Sequence, residues 1–155
     1  MITIILPVEW RTRLISELEY AGDKEIGGIL MGEQISPGKF RIVEMTIQHS
    51  GGLVAKFIRS AQRALFALQR FFKRTGHQYR QFNYLGEWHS HPSFSPKPSE
   101  RDHATMIDLT CNGETGANFL VLMITRLNTT RGLEGTVTVY LPNGVVAEGI
   151  LINDG

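Results

Sequence analysis

Apolar positions recur along this chain with two periods, and the period predicts the type of each element. Residues 2–6 (ITIIL) are continuously apolar and β-branched, which predicts a buried strand. Between 133 and 141, apolar and polar residues alternate, and Pro142-Asn143-Gly144 follows as a hairpin turn. The full set of predicted strands is 2–6, 25–31, 39–48, 82–91, 119–125, 133–141 and 145–152.

The helical period predicts three helices, from Pro7 to about Ala21, from Arg59 to Arg74 and from Ser99 to about Thr110. The middle helix is the most amphipathic. Its apolar stripe is Ala61, Ala64, Leu65, Leu68, Phe71 and Phe72, and its opposite side carries Arg59, Arg63, Arg70 and Arg74. Because strands and helices mix without regular βαβ alternation, we expect an α+β fold with a mixed sheet and helices on its faces.

The composition is that of an ordinary globular protein. The chain has 155 residues, 42% hydrophobic and 20% charged, which suits one domain spanning residues 1–155. No apolar stretch approaches the ~20 residues that a membrane-spanning helix needs. The first ten residues (MITIILPVEW) lack a basic region and a small-residue cleavage site. We therefore expect a cytoplasmic protein with no membrane partner.

The net charge is only +1, but the charges are unevenly distributed and the chain contains a basic region. No acidic residue lies between Glu44 and Glu87, whereas seven basic residues do: Lys56, Arg59, Arg63, Arg70, Lys73, Arg74 and Arg80. A solvated helix face is the simplest interpretation, and a docking face for an acidic protein on helix 59–74 is the alternative. Nucleic acid is a weaker hypothesis, because the aromatic residues of this helix lie on or near its apolar side rather than beside the charges.

The candidate chemistry is concentrated in the run GEWHSHPSFSPKPSERD, from Gly86 to Asp102. His89 and His91 are two apart on a predicted strand, so their side chains share one face. Ser99 and Asp102 are three apart at the start of the next helix, so they also share a face. A strand end, a proline-stiffened loop and a helix start can bring these groups to one point. Three nitrogen or oxygen ligands with an open fourth position are typical of a catalytic zinc site.

The residues alone leave alternatives open. Ser99 and Asp102 are also an ordinary N-capping pair, and Glu87 shares the strand face of the two histidines, so either Glu87 or Asp102 could be the carboxylate ligand. His103 is expected on the surface of its helix, without a ligand role. The single cysteine, Cys111, excludes an internal disulfide and a cysteine-based zinc site, and the sequence contains neither HExxH nor PCxxC.

The same run resembles a known family. His89-Ser90-His91, seven residues, Ser99, two residues and Asp102 match the H-S/T-H-x7-S-x2-D signature of the JAMM (MPN+) zinc metalloproteases. These proteases also carry a glutamate in an upstream strand before small residues, and the segment from Glu25 to Gly32 (EIGGILMG) is similar to that element. The resemblance implies the MPN fold, a mixed, mostly antiparallel curved sheet flanked by helices in a cytidine-deaminase-like arrangement.

The resemblance also implies residue roles. His89, His91 and Asp102 would bind one zinc ion per chain, with water as the fourth ligand. Glu25 would act as the general base on that water and pass the proton to the leaving amine. Ser99 would donate a hydrogen bond to the oxyanion. The presence of Glu25 separates this chain from the ligand-deficient, non-catalytic MPN proteins.

The expected reaction is hydrolysis of the isopeptide or peptide bond after the C-terminal tail of a ubiquitin-like protein. The tract from Tyr84 to Pro92 (YLGEWHSHP) is most similar to small stand-alone bacterial members of the family. Those are encoded beside ubiquitin-activating-like and conjugating-like enzymes, including in CBASS anti-phage operons, where the implied conjugate is a cyclic-nucleotide synthase. The alternative is a non-catalytic MPN-fold scaffold that docks an acidic partner through helix 59–74.

Overall fold

The computed structural model describes residues 1–49, 53–111 and 116–154, and for residues 53–63 it describes the backbone alone. The elements in chain order are β1 (Thr3–Pro7), α1 (Val8–Ala21), β2 (Gly27–Ser36), β3 (Lys39–Met45), α2 (Leu53–Arg74), β4 (Phe82–Ser90), α3 (Glu100–Cys111), β5 (Leu120–Leu127), β6 (Leu133–Tyr140), β7 (Val146–Glu148) and β8 (Ile150–Asp154). None of the helices in the described ranges has the length and apolar character needed to cross a membrane.

The described strands form one eight-stranded sheet in the order β7-β6-β5-β4-β2-β3-β1-β8. The pairs β2–β3, β2–β4, β5–β6 and β6–β7 are antiparallel, and the pairs β1–β3, β1–β8 and β4–β5 are parallel. The predicted fold class, α+β with a mixed and mostly antiparallel sheet, is therefore confirmed. β4 lies in the middle of this sheet, so the residues at its end are supported from both sides.

The predicted strand 145–152 is wrong, because the chain changes sheet edges at Gly149. β7 pairs with β6, whereas β8 pairs with β1 at the opposite edge. The sheet curves enough that Gly149 donates its N–H to the carbonyl of Val137 at 2.8 Å, while Ile150 donates to the carbonyl of Ile2 at 3.0 Å. A Cβ atom on Gly149 would lie 2.8 Å from Cγ1 of Val137, so the crossing needs a glycine.

The core has one layer on each face of the sheet. α1 packs Leu14 and Leu18 against one face, in a cluster that includes Trp88. On the other face, α2 covers β2 through Phe71, and α3 covers β5 and β6 through Met106. Because α2 and α3 lie over opposite halves of the sheet, β4 forms the floor between them.

The apolar stripe predicted for α2 is partly wrong. Phe71 is fully buried, but Leu65 is 58% exposed, and Ala67 is buried in its place. Successive residues are about 100° apart around a helix. With Ala67 and Phe71 facing the sheet, Leu65 therefore points outward. The small Ala67 lets the backbone of α2 approach the sheet closely, which a pattern of large apolar residues does not reveal. Ala61, the first residue of the predicted stripe, has a side chain outside the described residues.

Two predicted starting points also shift. α2 begins at Leu53 rather than at Arg59, and β2 begins at Gly27 rather than at Glu25. The second shift matters for the site, since it places Glu25 in the connection immediately before β2 instead of within the sheet. The helix predicted to start at Ser99 begins one residue later, at Glu100.

Candidate metal centre and its cavity

The two histidines of the predicted site lie where β4 ends. The strand runs to Ser90, so His89 is its penultimate residue and His91 follows it directly. The Nε2 atoms of the two rings are 3.2 Å apart. The intervening Ser90 and the preceding Trp88 are buried on the opposite face. The alternation expected for a strand therefore holds to its end and directs both imidazoles to one point.

α3 supplies the carboxylate. The Asp102 oxygens lie 3.3 Å from Nε2 of His89 and 3.4 Å from Nε2 of His91. Burial alone would raise the pKa of the Asp102 carboxyl, but hydrogen bonds from His89 and Ser99, together with the charge of His89, outweigh it and hold the pKa well below its ordinary value. The carboxylate is thus ionised and faces both rings.

Ser99 and Asp102 also form the capping pair that the sequence allowed. The Ser99 N–H donates to Oδ2 of Asp102 at 2.8 Å, and the Asp102 N–H donates to Oγ of Ser99 at 3.1 Å. A carboxylate has two oxygens and about four acceptor positions, so capping the helix leaves it able to bind elsewhere. The cap and the ligand interpretation are compatible, because the cap orients the same carboxylate toward the histidines.

The orientation of His91 is fixed from the side away from Asp102. Its ring is almost fully buried, stacks on Phe94 with 4.1 Å between ring centroids, and places Nδ1 2.9 Å from the carbonyl oxygen of Ser95. A carbonyl accepts and cannot donate, so Nδ1 carries a proton, and in the neutral ring Nε2 is the nitrogen able to bind a metal ion. The sequence could not have indicated Ser95, since it acts through its backbone.

Glu25 lies in the connection before β2, at the edge of the cavity beside the centre. Its neighbour Ile26 donates its N–H to Oγ of Ser90 at 3.0 Å, and Ser90 donates its own N–H to the carbonyl of Ile26 at 2.9 Å. This double link holds the backbone beside Glu25 against the end of β4. Glu25, His89 and Asp102 line one cavity of about 430 Å³. The structure therefore brings Glu25, His89 and Asp102 to a common space.

Glu87, the competing carboxylate, belongs to a different part of this cavity. Within the described ranges, the side chains that could hold a metal ion together are His89, His91 and Asp102, whose ligand atoms all lie within 4.8 Å of one another. Glu87 lines the cavity but is not in this group. Burial raises the pKa of its carboxyl, against an opposing effect of His89.

The spacing of the three donors suits a tetrahedral ion. Ligand atoms about 2.0–2.1 Å from such an ion lie about 3.3–3.4 Å from one another. Here the two Nε2 atoms are 3.2 Å apart, and each lies at a similar distance from one Asp102 oxygen, His89 3.3 Å from Oδ1 and His91 3.4 Å from Oδ2. His89 and Asp102 also line a cavity, whereas His91 is buried behind them. Three protein ligands beside an open space are typical of a catalytic metal site rather than a structural one.

The sequence of this chain matches a known protein family. A family model described as prokaryotic homologs of the JAB domain matches residues 7–135, a range that includes Glu25, Ser99 and all three members of the cluster. The chain belongs to this family.

One relative of this JAB-domain protein is named as an isopeptidase. The chain is 32% identical over 114 residues to a protein of Enterobacter hormaechei named as a CD-NTase/cGAS isopeptidase. The alignment covers 72% of this chain and 61% of that protein, so the chain matches less than two thirds of the relative's length.

Solved structures share the fold of this JAB-domain protein at low identity. A solution structure from Desulfitobacterium hafniense aligns with a TM-score of 0.66 at 16% identity, covering 97% of this chain and 92% of that one. A second, from Salinibacter ruber, aligns with a TM-score of 0.54 at 16% identity, covering 99% and 92%. At these identities the likeness shows the fold alone.

His103 lies outside the metal cluster of this JAB domain, but the predicted surface position is only partly right. His103 is half-buried, and its Nδ1 lies 2.8 Å from the hydroxyl of Tyr140. The contact joins the first turn of α3 to β6 directly beside Asp102. The sequence carried no signal for it, since the two residues are 37 positions apart and come together through the packing of α3 on the sheet.

Proposed function

We propose that this chain is a zinc-dependent isopeptidase that cleaves the bond after the C-terminus of a ubiquitin-like modifier. The single observation that carries the proposal is the cluster of His89, His91 and Asp102 at the edge of a cavity that Glu25 lines together with His89 and Asp102. Membership in the JAB family and the isopeptidase relative support the reaction class.

In this proposal the cluster holds one zinc ion per chain. Zinc bound there would lower the pKa of a water molecule to about 7 and polarise the scissile carbonyl. The Asp102 carboxylate is held in place by its hydrogen bond from the Ser99 N–H, and His91 by the carbonyl of Ser95. Such supporting contacts orient ligands before the metal arrives.

Glu25 and Ser99 take the two remaining roles. Glu25 accepts a proton from the attacking water and delivers it to the leaving amine, which general acid–base catalysis requires of one group in sequence. The Ser99 oxygen accepts a hydrogen bond from the Asp102 N–H, and within the described residues its own proton is not donated to any group. That proton is free to stabilise the oxyanion, an interaction worth about 3–4 kcal/mol.

The substrate class follows from the relative. We infer that the natural substrate is a conjugate between a ubiquitin-like modifier and a protein of the CD-NTase/cGAS class, the class in the relative's name. Activating and conjugating enzymes for that modifier would then act before this chain, in anti-phage defence. The scaffold alternative has less support, because Arg74 of the basic face of α2 is already paired with Glu44 at 2.8 Å.

The test measures metal content and cleavage together. Purified protein is analysed for zinc by mass spectrometry and incubated with a ubiquitin-like protein joined to a CD-NTase. We expect one zinc per chain and cleavage at the modifier C-terminus. Glu25→Gln should retain zinc and lose activity by about 10²–10⁴-fold, whereas His89→Ala should lose both. Stoichiometric zinc with unchanged cleavage in Glu25→Gln would contradict the proposal and favour a scaffold.

A further inference from the structure

The cavity that holds the candidate centre continues into a second, larger one. The second cavity has a volume of about 910 Å³, and its lining includes Tyr84 and Glu87 of β4, Leu68 and Phe72 of α2, and residues 116–119. Ile29, Ala64 and Glu87 line both cavities. We call the larger one the β4 groove. Its lining is continuous with the site at these three residues, so a chain bound at the centre can extend into it.

Glu87 lies where the two spaces join. Within the described part of the chain, its carboxylate makes no ion pair and no hydrogen bond, although the residue is only partly exposed and shares both linings with Ile29 and Ala64. Arg80, the other charged residue of the groove, belongs to the loop before β4 and forms no ion pair with Glu87. A poorly solvated carboxylate without a partner is costly to the folded protein unless a ligand supplies hydrogen-bond donors or positive charge.

The spacing along β4 sets which part of a ligand Glu87 would meet. Glu87 and His89 are two residues apart on one strand face, which places them about 6.6–6.8 Å apart along the strand. An extended segment over the groove advances by about the same distance in two residues. A side chain two residues from the bond at the centre would therefore lie over Glu87.

We propose that Glu87 is a specificity-determining residue that binds a lysine or arginine side chain two residues from the scissile bond. The aliphatic part of such a side chain would contact Ile29 and Ala64, and its charged end would meet the carboxylate. This inference rests on the proposed function, since it assumes a scissile bond at the centre, and it adds the charge preference of the substrate.

The test uses zinc-loaded protein and quenched peptides, in both α-peptide and lysyl isopeptide form, with cleavage positions identified by mass spectrometry. The residues two positions before and two after the scissile bond are each fixed as Lys, Arg, Gln, Leu or Glu. We expect wild-type protein to prefer Lys or Arg over Leu at one of these positions by about 10- to 100-fold in kcat/KM. Glu87→Gln should reduce the preference to within about threefold, and Glu87→Lys should favour Glu there.

The matched control is Glu148→Gln, which removes an exposed carboxylate of β7 outside the groove and should leave the preference unchanged. Zinc content and melting temperature are measured for every variant. Cleavage by wild-type protein with no preference for a basic residue at either position overturns the inference alone, and this result needs no variant. An unaltered preference in a folded, zinc-loaded Glu87→Gln does the same. If wild-type protein cleaves none of the peptides and none of the conjugates above, the proposed function fails and the inference with it.

Discussion

Near its end, β4 carries two polar side chains on each face, and the two pairs have different surroundings. On the face toward α1, Trp88 and Ser90 are fully buried, and each is hydrogen-bonded to a neighbouring backbone group. On the face toward α2 and α3, Glu87 and His89 point into a cavity. The polar side chains of the first face form hydrogen bonds within the protein, whereas those of the second face a space that a ligand can enter.

The difference shows how a single strand separates stability from chemistry. A buried polar group that is satisfied internally stabilises the fold and has no capacity left for a ligand. Polar groups that converge on a cavity without internal partners cost stability and are retained at sites that bind something. Residues one position apart on β4 should therefore respond to substitution in opposite ways.

The largest expected effect is on the α1 face. Trp88→Ala should lower the free energy of unfolding by about 3–5 kcal/mol, because it leaves a large cavity in the core and removes the bond that Nε1 donates to the carbonyl of Thr46. Glu87→Gln, one residue away, should change it by less than about 1 kcal/mol or increase it. Urea denaturation of both variants measures the contrast, and equal destabilisation would remove the distinction between the faces.

Much of this arrangement could be predicted from the sequence. The period of two along 82–91 separates the histidines from Trp88 and Ser90, and the helix start at Ser99 follows from its capping residues. These features are local, because they depend on how neighbouring residues point. The resemblance in the histidine–aspartate spacing then assigned the roles that the pattern alone left open.

The features that could not be predicted depend on contacts between distant segments. Asp102, rather than Glu87, lies beside the two histidines because of where α3 lies above β4. No local sequence pattern predicts that position. The exposure of Leu65 depends on how closely α2 approaches the sheet at Ala67. The crossing at Gly149 depends on the curvature of the whole sheet, which brings its two edges together.

A smaller effect on stability is expected at Ser90, whose hydrogen bond with Ile26 connects β4 to the segment that carries Glu25. Ser90→Ala removes the acceptor of the Ile26 N–H and leaves a buried donor unsatisfied, which should cost about 1–3 kcal/mol. Because Ile26 is adjacent to Glu25, cleavage should fall while zinc remains bound. Ser93→Ala, in the exposed loop after the histidines, is the matched control and should change neither quantity. Loss of zinc from Ser90→Ala at full stability would show that Ser90 acts on the metal ligands instead.

The smallest effect is visible only at high pH and concerns Tyr84 on the floor of the β4 groove. Burial and, to a lesser extent, the nearby Glu87 raise the pKa of its hydroxyl above the ordinary value of 10.0. A group whose pKa is raised by folding contributes stability that is complete below its unfolded pKa and is lost as pH rises toward the folded value. The wild-type protein should therefore lose about 1 kcal/mol from this residue between about pH 10 and pH 11.

Tyr84→Phe isolates that contribution. The Tyr84 hydroxyl donates to no group within the described residues, so the variant should match wild type in urea denaturation at pH 7. Above pH 10 it should become the more stable of the two, because phenylalanine cannot ionise in the groove. The exposed Tyr20 provides the control, since Tyr20→Phe should follow the wild-type curve throughout. Identical curves for Tyr84→Phe and wild type at high pH would mean that the groove is hydrated enough to accommodate a phenolate, and the contrast between a closed and a ligand-binding face of β4 would then apply to the metal end alone.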